Sequence, residues 1–125
     1  MRLFIDNKSG IPIYDQICAQ IKEQIIKGSL KEDDPLPSIR NLAKDLKISV
    51  ITTKRAYEEL EKEGYIYTVQ GKGCFAAGKN PEVIREHYLR QIEAHIAEIR
   101  TLADMCGLGE EDVCVMVHVM WEETV

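Results

Sequence analysis

The chain has 125 residues, 45% of them hydrophobic and 30% charged, and a formal net charge of −5. This length holds one ordinary domain, or a small domain with an appendage, and excludes a large catalytic domain. No apolar run approaches the roughly 20 residues of a membrane helix, and the residues from Met1 to Gly10 do not resemble a signal peptide, so we expect a cytoplasmic protein.

The charge is distributed unevenly along the chain. Residues 38–79 have eight basic and five acidic side chains, whereas residues 80–125 have three basic and ten acidic ones. Phosphate groups attract the first segment and repel the second. This division is typical of a protein that meets nucleic acid with one face only.

An isoleucine at every fourth position predicts the first helix, because this spacing keeps the side chains on one buried stripe. These residues are Ile13, Ile17, Ile21 and Ile25. Ile11-Pro12 opens the helix and Gly28 is placed to end it. Two prolines in residues 33–37 then break the chain before the next element.

Two serines predict the starts of the next two helices, because a serine side chain can accept hydrogen bonds from free amides at a helix N-terminus. Ser38 begins a short helix, and Ser49 begins a longer one that runs to about Glu63. One side of the longer helix is predicted to be buried and consists of Thr53, Ala56, Tyr57 and Leu60. The opposite side, which includes Ile51 and Arg55, is the candidate for reading DNA.

Aromatic and β-branched residues predict two short strands, at residues 65–69 and 74–77. Gln70-Gly71-Lys72-Gly73 forms the turn between them; its two glycines lack a surrounding βαβ unit, so a nucleotide-binding loop is not predicted. Helix, turn, helix and hairpin in this order form a winged helix-turn-helix, which we assign to residues 1–78.

Residues 79–125 predict a helical hairpin for dimerisation, so the expected fold is mostly α with a small β-wing. Asn80-Pro81 begins a long helix, Gly107 ends it, and residues 110–123 form the last helix. The apolar stripe of the long helix spans about seven turns, too many for a small winged domain to cover, so we expect two hairpins to cover each other. The residues assigned to this contact are Ile84, Tyr88, Ile92, Ile96, Ile99, Val113, Met116, Val117, Met120 and Trp121.

The cysteines and histidines do not predict a metal or redox site. Cys18, Cys74, Cys106 and Cys114 lack CxxC spacing and lie in apolar segments, so we expect them to be reduced and buried. Cys114 and His118 have a ligand-like spacing, but core packing is the favoured role of the histidines. Without a nucleophile motif, carboxylate pair or cofactor fingerprint, neither an enzyme nor a bound cofactor is predicted.

A longer pattern runs through residues 10–78. It consists of Leu36-Pro37-Ser38-x-Arg40-x-Leu42-Ala43, Ser49, Thr53-x-x-Ala56-Tyr57-x-x-Leu60-Glu61-x-x-Gly64 and Gly71-x-Gly73. This pattern resembles the GntR family of bacterial transcriptional regulators. The short tail is similar to the YtrA-like subfamily, because larger effector-binding or aminotransferase-like modules do not fit into it. The resemblance implies a homodimeric regulator, commonly a repressor of a membrane-transporter operon.

The resemblance also implies which residues bind DNA. Arg40 matches an arginine near the start of the second helix that contacts the operator. Ser49, Thr52 and Lys54 match contact positions around the third helix, the recognition helix. Gly71 matches a wing-tip glycine that approaches the minor groove.

The cationic candidates have two roles open to them. Arg40 and Lys54 can neutralise phosphates or donate to guanine, or they can be ordinary solvated charges. Arg55 points outward on the helical wheel, where it can contact DNA or pair with Glu58 or Glu59 in its own helix.

The uncharged candidates have alternatives as well. Ser49 can bond a phosphate oxygen, although the helix needs it as a cap in any case. Ile51 suits contact with a thymine methyl group or with the first helix, and Val50 stands where many relatives carry a polar or basic contact residue. Gln70 and Lys72 can touch the DNA backbone or form an ordinary polar turn.

We therefore predict a sequence-specific DNA-binding repressor, whose partners are a double-stranded, two-fold-related operator and a second copy of the chain. An unknown small-molecule effector in the hairpins is a further candidate partner. The alternative is a winged-helix module that docks a protein and binds no specific DNA, since fold does not dictate function.

Overall fold

A computed structural model of the chain describes residues 1–123, so the last two residues of the predicted hairpin lie outside the described residues. The described elements are α1 (Ile13–Lys27), α2 (Ile39–Leu46), α3 (Val50–Lys62), β1 (Ile66–Val69), β2 (Gly73–Ala76), α4 (Pro81–Met105) and α5 (Glu110–Glu123). The predicted fold class, mostly α with a two-stranded wing, is confirmed.

The chain divides into two compact units. The first comprises Met1–Ile84, and the second begins at Arg85. The first unit extends beyond residue 78 because Val83, in the first turn of α4, packs against its hydrophobic core.

The core of the first unit lies between α3 and the helices α1 and α2. Ile17 and Ile21 of α1 and Leu60 of α3 are fully buried, whereas Ile13 is half-buried. Thr53, also fully buried, satisfies its hydroxyl by donating to the Ser49 carbonyl oxygen at 3.1 Å. The predicted isoleucine stripe and the predicted buried side of α3 are therefore confirmed.

The helix ends follow the predicted capping chemistry. The Ser38 and Ser49 side chains accept hydrogen bonds at 3.1 Å from the backbone amides of Asn41 and Thr52 respectively. Gly28 ends α1 with a φ of 86°, a left-handed conformation that glycine adopts without a Cβ clash. These local interactions fix where each helix begins and ends, which is why the sequence predicts them well.

An extended N-terminal segment, residues 2–6, lies along α1 and is held by a ladder of glutamines. Gln16, Gln20 and Gln24, one helical turn apart, hydrogen-bond the backbone of this segment at 2.6–3.0 Å. Leu3 enters the core between them. The sequence does not predict this ladder, because glutamines on a helix surface are ordinarily solvated.

The wing is an antiparallel pair of strands in which Ile66 faces Ala76 and Val69 faces Gly73. The connection before α2 adds an isolated bridge between Pro35 and Phe75. The two prolines predict a chain break there rather than strand pairing, so the bridge to β2 is not predicted from the sequence.

In the second unit, a tight turn joins α4 to α5. The Leu108 amide donates to the Ala103 carbonyl oxygen at 2.9 Å, and Ala103 is buried. Most apolar residues of the stripe are exposed in the single chain. Within residues 1–123, no helix is both long and apolar enough to cross a membrane.

Two predictions about reactive side chains are wrong for the single chain. Cys106 and Cys114 are exposed rather than buried, while Cys18 is buried as predicted. His95 and His118 are also exposed instead of packing in a core. The reason in each case is that α4 and α5 leave most of their surface uncovered in one chain.

Replacing Leu60 by alanine will destabilise the first unit, because the side chain is fully buried between helices. We expect a loss of about 2–5 kcal/mol in the free energy of unfolding, measured by urea denaturation followed by circular dichroism. As a control, Ile51→Ala removes an exposed side chain of the same helix and should change stability by less than about 0.5 kcal/mol. Similar losses for both variants would contradict this description of the core.

Alkaline pH will destabilise the fold through Cys18. Burial raises the pKa of this thiol from 9.0 to about 11, and burial also raises the pKa of the Tyr57 hydroxyl. Because the folded state favours the neutral thiol, this stabilisation is complete below pH 9 and is lost as the pH rises to about 11. Urea denaturation as a function of pH should show the free energy of unfolding falling over this range, and falling less steeply in Cys18→Ala. The matched variant Cys114→Ala should keep the original slope.

Candidate nucleic-acid interface

Helix α3 has one buried face and one open face. Its buried face packs against α1 and α2, as described above. The open face presents Val50, Ile51, Lys54 and Arg55, all of them exposed. A helix anchored on one side and open on the other can enter a groove without rearranging the core.

The start of α3 is fixed by a pair of hydroxyl groups. The Ser49 hydroxyl accepts from the Thr52 amide at 3.1 Å and donates to the Thr52 hydroxyl oxygen at 2.7 Å. Ser49 is therefore a helix cap in the free chain. The Thr52 hydroxyl still has its own proton to donate, so it can reach a phosphate oxygen without breaking the cap.

Lys54 lies on the open face and makes only a weak contact within the helix. Its Nζ is 3.8 Å from Glu58 Oε1, and both side chains are about two-thirds exposed. An exposed pair of this kind contributes little to stability. The ammonium group is therefore available to a more strongly charged partner such as a phosphate.

Arg55 packs over an aromatic ring of α1 that its sequence pattern does not indicate. Its guanidinium carbon lies 3.8 Å from the centroid of the Tyr14 ring, within the range of a cation–π contact. The sequence suggested Glu58 and Glu59 as partners of Arg55 within its own helix. Glu58 approaches Lys54 and not Arg55. Tyr14 was missed because its contact joins two helices that are distant in sequence.

Arg40 is exposed as the second residue of α2, and two hydrogen bonds fix the start of that helix. One is the Ser38 cap, and the other joins the buried Tyr57 hydroxyl to the Pro37 carbonyl oxygen at 2.7 Å. Since Tyr57 belongs to α3, this bond ties the position of Arg40 to that of the open face.

The wing presents Gln70, Gly71 and Lys72 at an exposed tip. The Lys72 amide donates to the Val69 carbonyl oxygen at 2.9 Å, and Gly71 has a φ of 81°, as the third residue of a type II turn requires. The close approach of this backbone to a partner is unhindered, because nothing lies within 4 Å of where a Gly71 Cβ would be.

Two side-chain hydrogen bonds connect the wing to the rest of the first unit. The Thr68 hydroxyl donates to Glu61 Oε2 of α3 at 3.0 Å, and the Tyr67 hydroxyl donates to Asp33 Oδ1 at 2.5 Å. The hydrogen bond to the Asp33 carboxylate raises the pKa of Tyr67. The structure thus brings α2, α3 and the wing together in one unit.

The residues predicted for dimerisation lie in two different settings. Ile84 belongs to the first unit, where it lines a small cavity with Ile25, Tyr65 and Val83. The other predicted residues lie on α4 and α5 and are exposed, except for the half-buried Val113. Among residues 1–123, no three histidine, cysteine or acidic side chains are grouped to hold a metal ion.

Comparison with known proteins identifies a bacterial family. Residues 13–76 match the bacterial regulatory proteins of the gntR family. The HTH-type transcriptional repressor YtrA of Bacillus subtilis (strain 168) is 36% identical over 107 residues, which are 86% of this chain and 82% of that protein. The repressor NagR of the same organism is 44% identical over 73 residues, 58% of this chain and only 30% of NagR.

Solved structures share the fold. A transcriptional regulator from Oenococcus oeni has a TM-score of 0.73 at 28% identity, over 94% of this chain and 97% of that one. YtrA from Sulfolobus acidocaldarius, a GntR-family transcription factor, has a TM-score of 0.60 at 38% identity, over 74% and 97%. AraR(DBD), solved in complex with operator ORE1, has a TM-score of 0.52 at 27% identity, over 62% and 94%.

Proposed function

This chain belongs to the GntR family of bacterial regulatory proteins, and we propose that this DNA-binding transcriptional regulator is a homodimeric repressor that binds a two-fold-related operator. The relatives YtrA and NagR are transcriptional repressors, and AraR(DBD) is a structure with bound operator. By the YtrA-like resemblance, we further propose that the operator controls a transporter operon and that the protein acts in the cytoplasm.

The observation that carries this proposal is the open, cationic face of α3. A helix with its side chains is about 10–12 Å across, which matches the roughly 12 Å width of the B-DNA major groove. Lys54 and Arg55 lie on this face, and both are exposed. The Arg55 guanidinium lies over the Tyr14 ring, which restricts its freedom while leaving its positive charge in place for a phosphate.

Arg40 and the wing extend the proposed contact beyond α3. Arg40 lies near the start of α2, where it can neutralise a phosphate next to the groove. Gln70 and Lys72 flank Gly71 at the wing tip, so we assign them to the backbone around the adjacent minor groove. The hydrogen bonds of Thr68 to Glu61 and of Tyr67 to Asp33 tie the wing to the first unit, so we expect the wing and α3 to approach DNA as one body.

The homodimer is proposed from the apolar stripe of the second unit. Tyr88, Ile92, Ile96 and Ile99 lie exposed along α4, and α5 adds exposed apolar residues that include Trp121. A monomer gains nothing by exposing such a continuous stripe, whereas a second copy with the same stripe would bury it. The pair would present two α3 helices to half-sites about 34–36 Å apart, or a multiple of that distance.

A small-molecule effector also remains a proposal. An open groove on α5 is lined by Cys114, Val117, His118, Trp121 and Glu122. Its apolar walls and its one imidazole–carboxylate contact, 3.3 Å between His118 Nε2 and Glu122 Oε1, offer a place for a small organic molecule. Because Val117 and Trp121 belong to the proposed dimer contact as well, a molecule bound in this groove would alter that contact and the spacing of the two heads.

Removing a proposed cationic contact will weaken operator binding. We expect Lys54→Ala and Arg40→Ala each to reduce the affinity for the operator by roughly 5–150-fold, because each contact is worth about 1–3 kcal/mol. The operator is first obtained by selection sequencing with the full chain, and affinity is then measured by fluorescence anisotropy against selected and random duplexes. The salt dependence of binding should become less steep in either variant.

The control for this experiment is Lys27→Ala, which removes a cation from the last turn of α1, outside α2, α3 and the wing. It should leave operator affinity nearly unchanged. Equal affinity for selected and random duplexes would overturn the proposed function. A captured protein partner without any selected DNA would favour the protein-docking module instead.

Placing a charge in the apolar stripe will dissociate the proposed dimer. Ile96→Asp puts an unpaired carboxylate into the contact, so sedimentation should show a monomer and operator binding should weaken. The matched control is Ala97→Asp, since the neighbouring residue is exposed on the opposite side of α4. A native protein that sediments as a monomer at micromolar concentration, or an Ile96→Asp variant that remains a dimer, would contradict the prediction.

A further inference from the structure

Two branched aliphatic residues occupy the first turn of α3 and face solvent. Ile51 is 81% exposed and Val50 is 51% exposed. Neither belongs to the hydrophobic core or packs against it. The contact between Ile51 and α1 that the sequence left open is therefore not made.

The stability of the fold does not explain these residue types. β-branched residues lose side-chain freedom in a helix. An aliphatic side chain that stays in water also lacks the stabilisation that burial would give it. Ser49 already caps the helix, and the buried face of α3 begins at Thr53. Residues 50 and 51 are thus available for a partner that carries apolar groups.

The neighbouring cations indicate what that partner is. Val50 precedes Lys54 by one helical turn, and Ile51 precedes Arg55 in the same way, so each aliphatic side chain lies beside a positive charge. A partner that fits this face has closely spaced anionic and apolar groups. The DNA major groove has both, because phosphates line its edges and the C5-methyl groups of thymine lie on its floor.

We propose that Ile51, assisted by Val50, reads thymine through its C5-methyl group in the operator. The inference rests on the proposed function and adds the chemical basis of sequence preference to it. An aliphatic side chain has no donor or acceptor, so it cannot bond the edges of guanine or adenine. Opposite cytosine it would cover the N4 amino group without a partner for it, which is unfavourable. Ile51 therefore favours thymine and disfavours cytosine at the same position.

Replacing single thymines of the selected operator by deoxyuridine tests this inference, because the exchange removes only the methyl group. Anisotropy titrations with the full chain should show about a fourfold loss of affinity at one or two positions in each half-site, the effect of one buried methyl group. Other thymines should show no loss, and the salt dependence should not change.

The protein variants assign the effect to residues. Ile51→Ala should bind thymine and deoxyuridine equally at one of the sensitive positions, and its thermal midpoint should stay that of the native chain. Phe4→Ala is the control, since Phe4 is also strongly exposed, at 72%, but lies outside α3. It should retain the discrimination in full.

Three results would overturn the inference, and they are distinguishable. Methyl readout would be wrong if the selected operator tolerated deoxyuridine at every thymine. It would also be wrong if Ile51→Ala and Val50→Ala both kept the full discrimination between thymine and deoxyuridine. In either case the proposed function would stand. Failure to select any sequence would overturn the proposed function and this inference with it.

Discussion

The burial of one face of α3 is the constraint on which the rest of the first unit depends. Leu60 and Ala56 of this helix and Ile17 and Ile21 of α1 are fully buried, so the helix cannot rotate about its axis without exposing them. Fixing the buried face also fixes the open one. The exposed residues from Val50 to Arg55 therefore form a rigid surface.

A few polar contacts then set the neighbouring elements in relation to α3. The Tyr57 hydroxyl bonds the chain just before α2, and the Thr68 hydroxyl bonds Glu61 from the wing. These contacts join α3 to the elements that precede and follow it in the chain. Because both contacts end on the same helix, they hold the start of α2 and the wing against α3.

The two units carry different surfaces: the first has a cationic one, and the second has an exposed apolar one. The motif-bearing segment is positive, whereas residues 80–125 carry ten acidic side chains and would be repelled by the same phosphates. Their exposed apolar stripe gives the second unit a different partner in our proposal, a second copy of the chain. In this proposal, apolar contact between the second units pairs the two chains, and the positive segments meet the DNA.

The sequence by itself determined the elements and their ends, because helix periodicity, serine caps and glycine stops act over a few neighbouring residues. It also placed Arg55 on the open side of α3, since the buried residues of that helix fall on the opposite side. Only the tertiary structure decided the contacts between distant segments, namely the Tyr14 ring under Arg55, the glutamine ladder along residues 2–6 and the bridge from Pro35 to Phe75. It also decided the exposure of Cys106, Cys114 and Ile51. Such features depend on which surfaces meet after folding, and no local pattern of residue types records that.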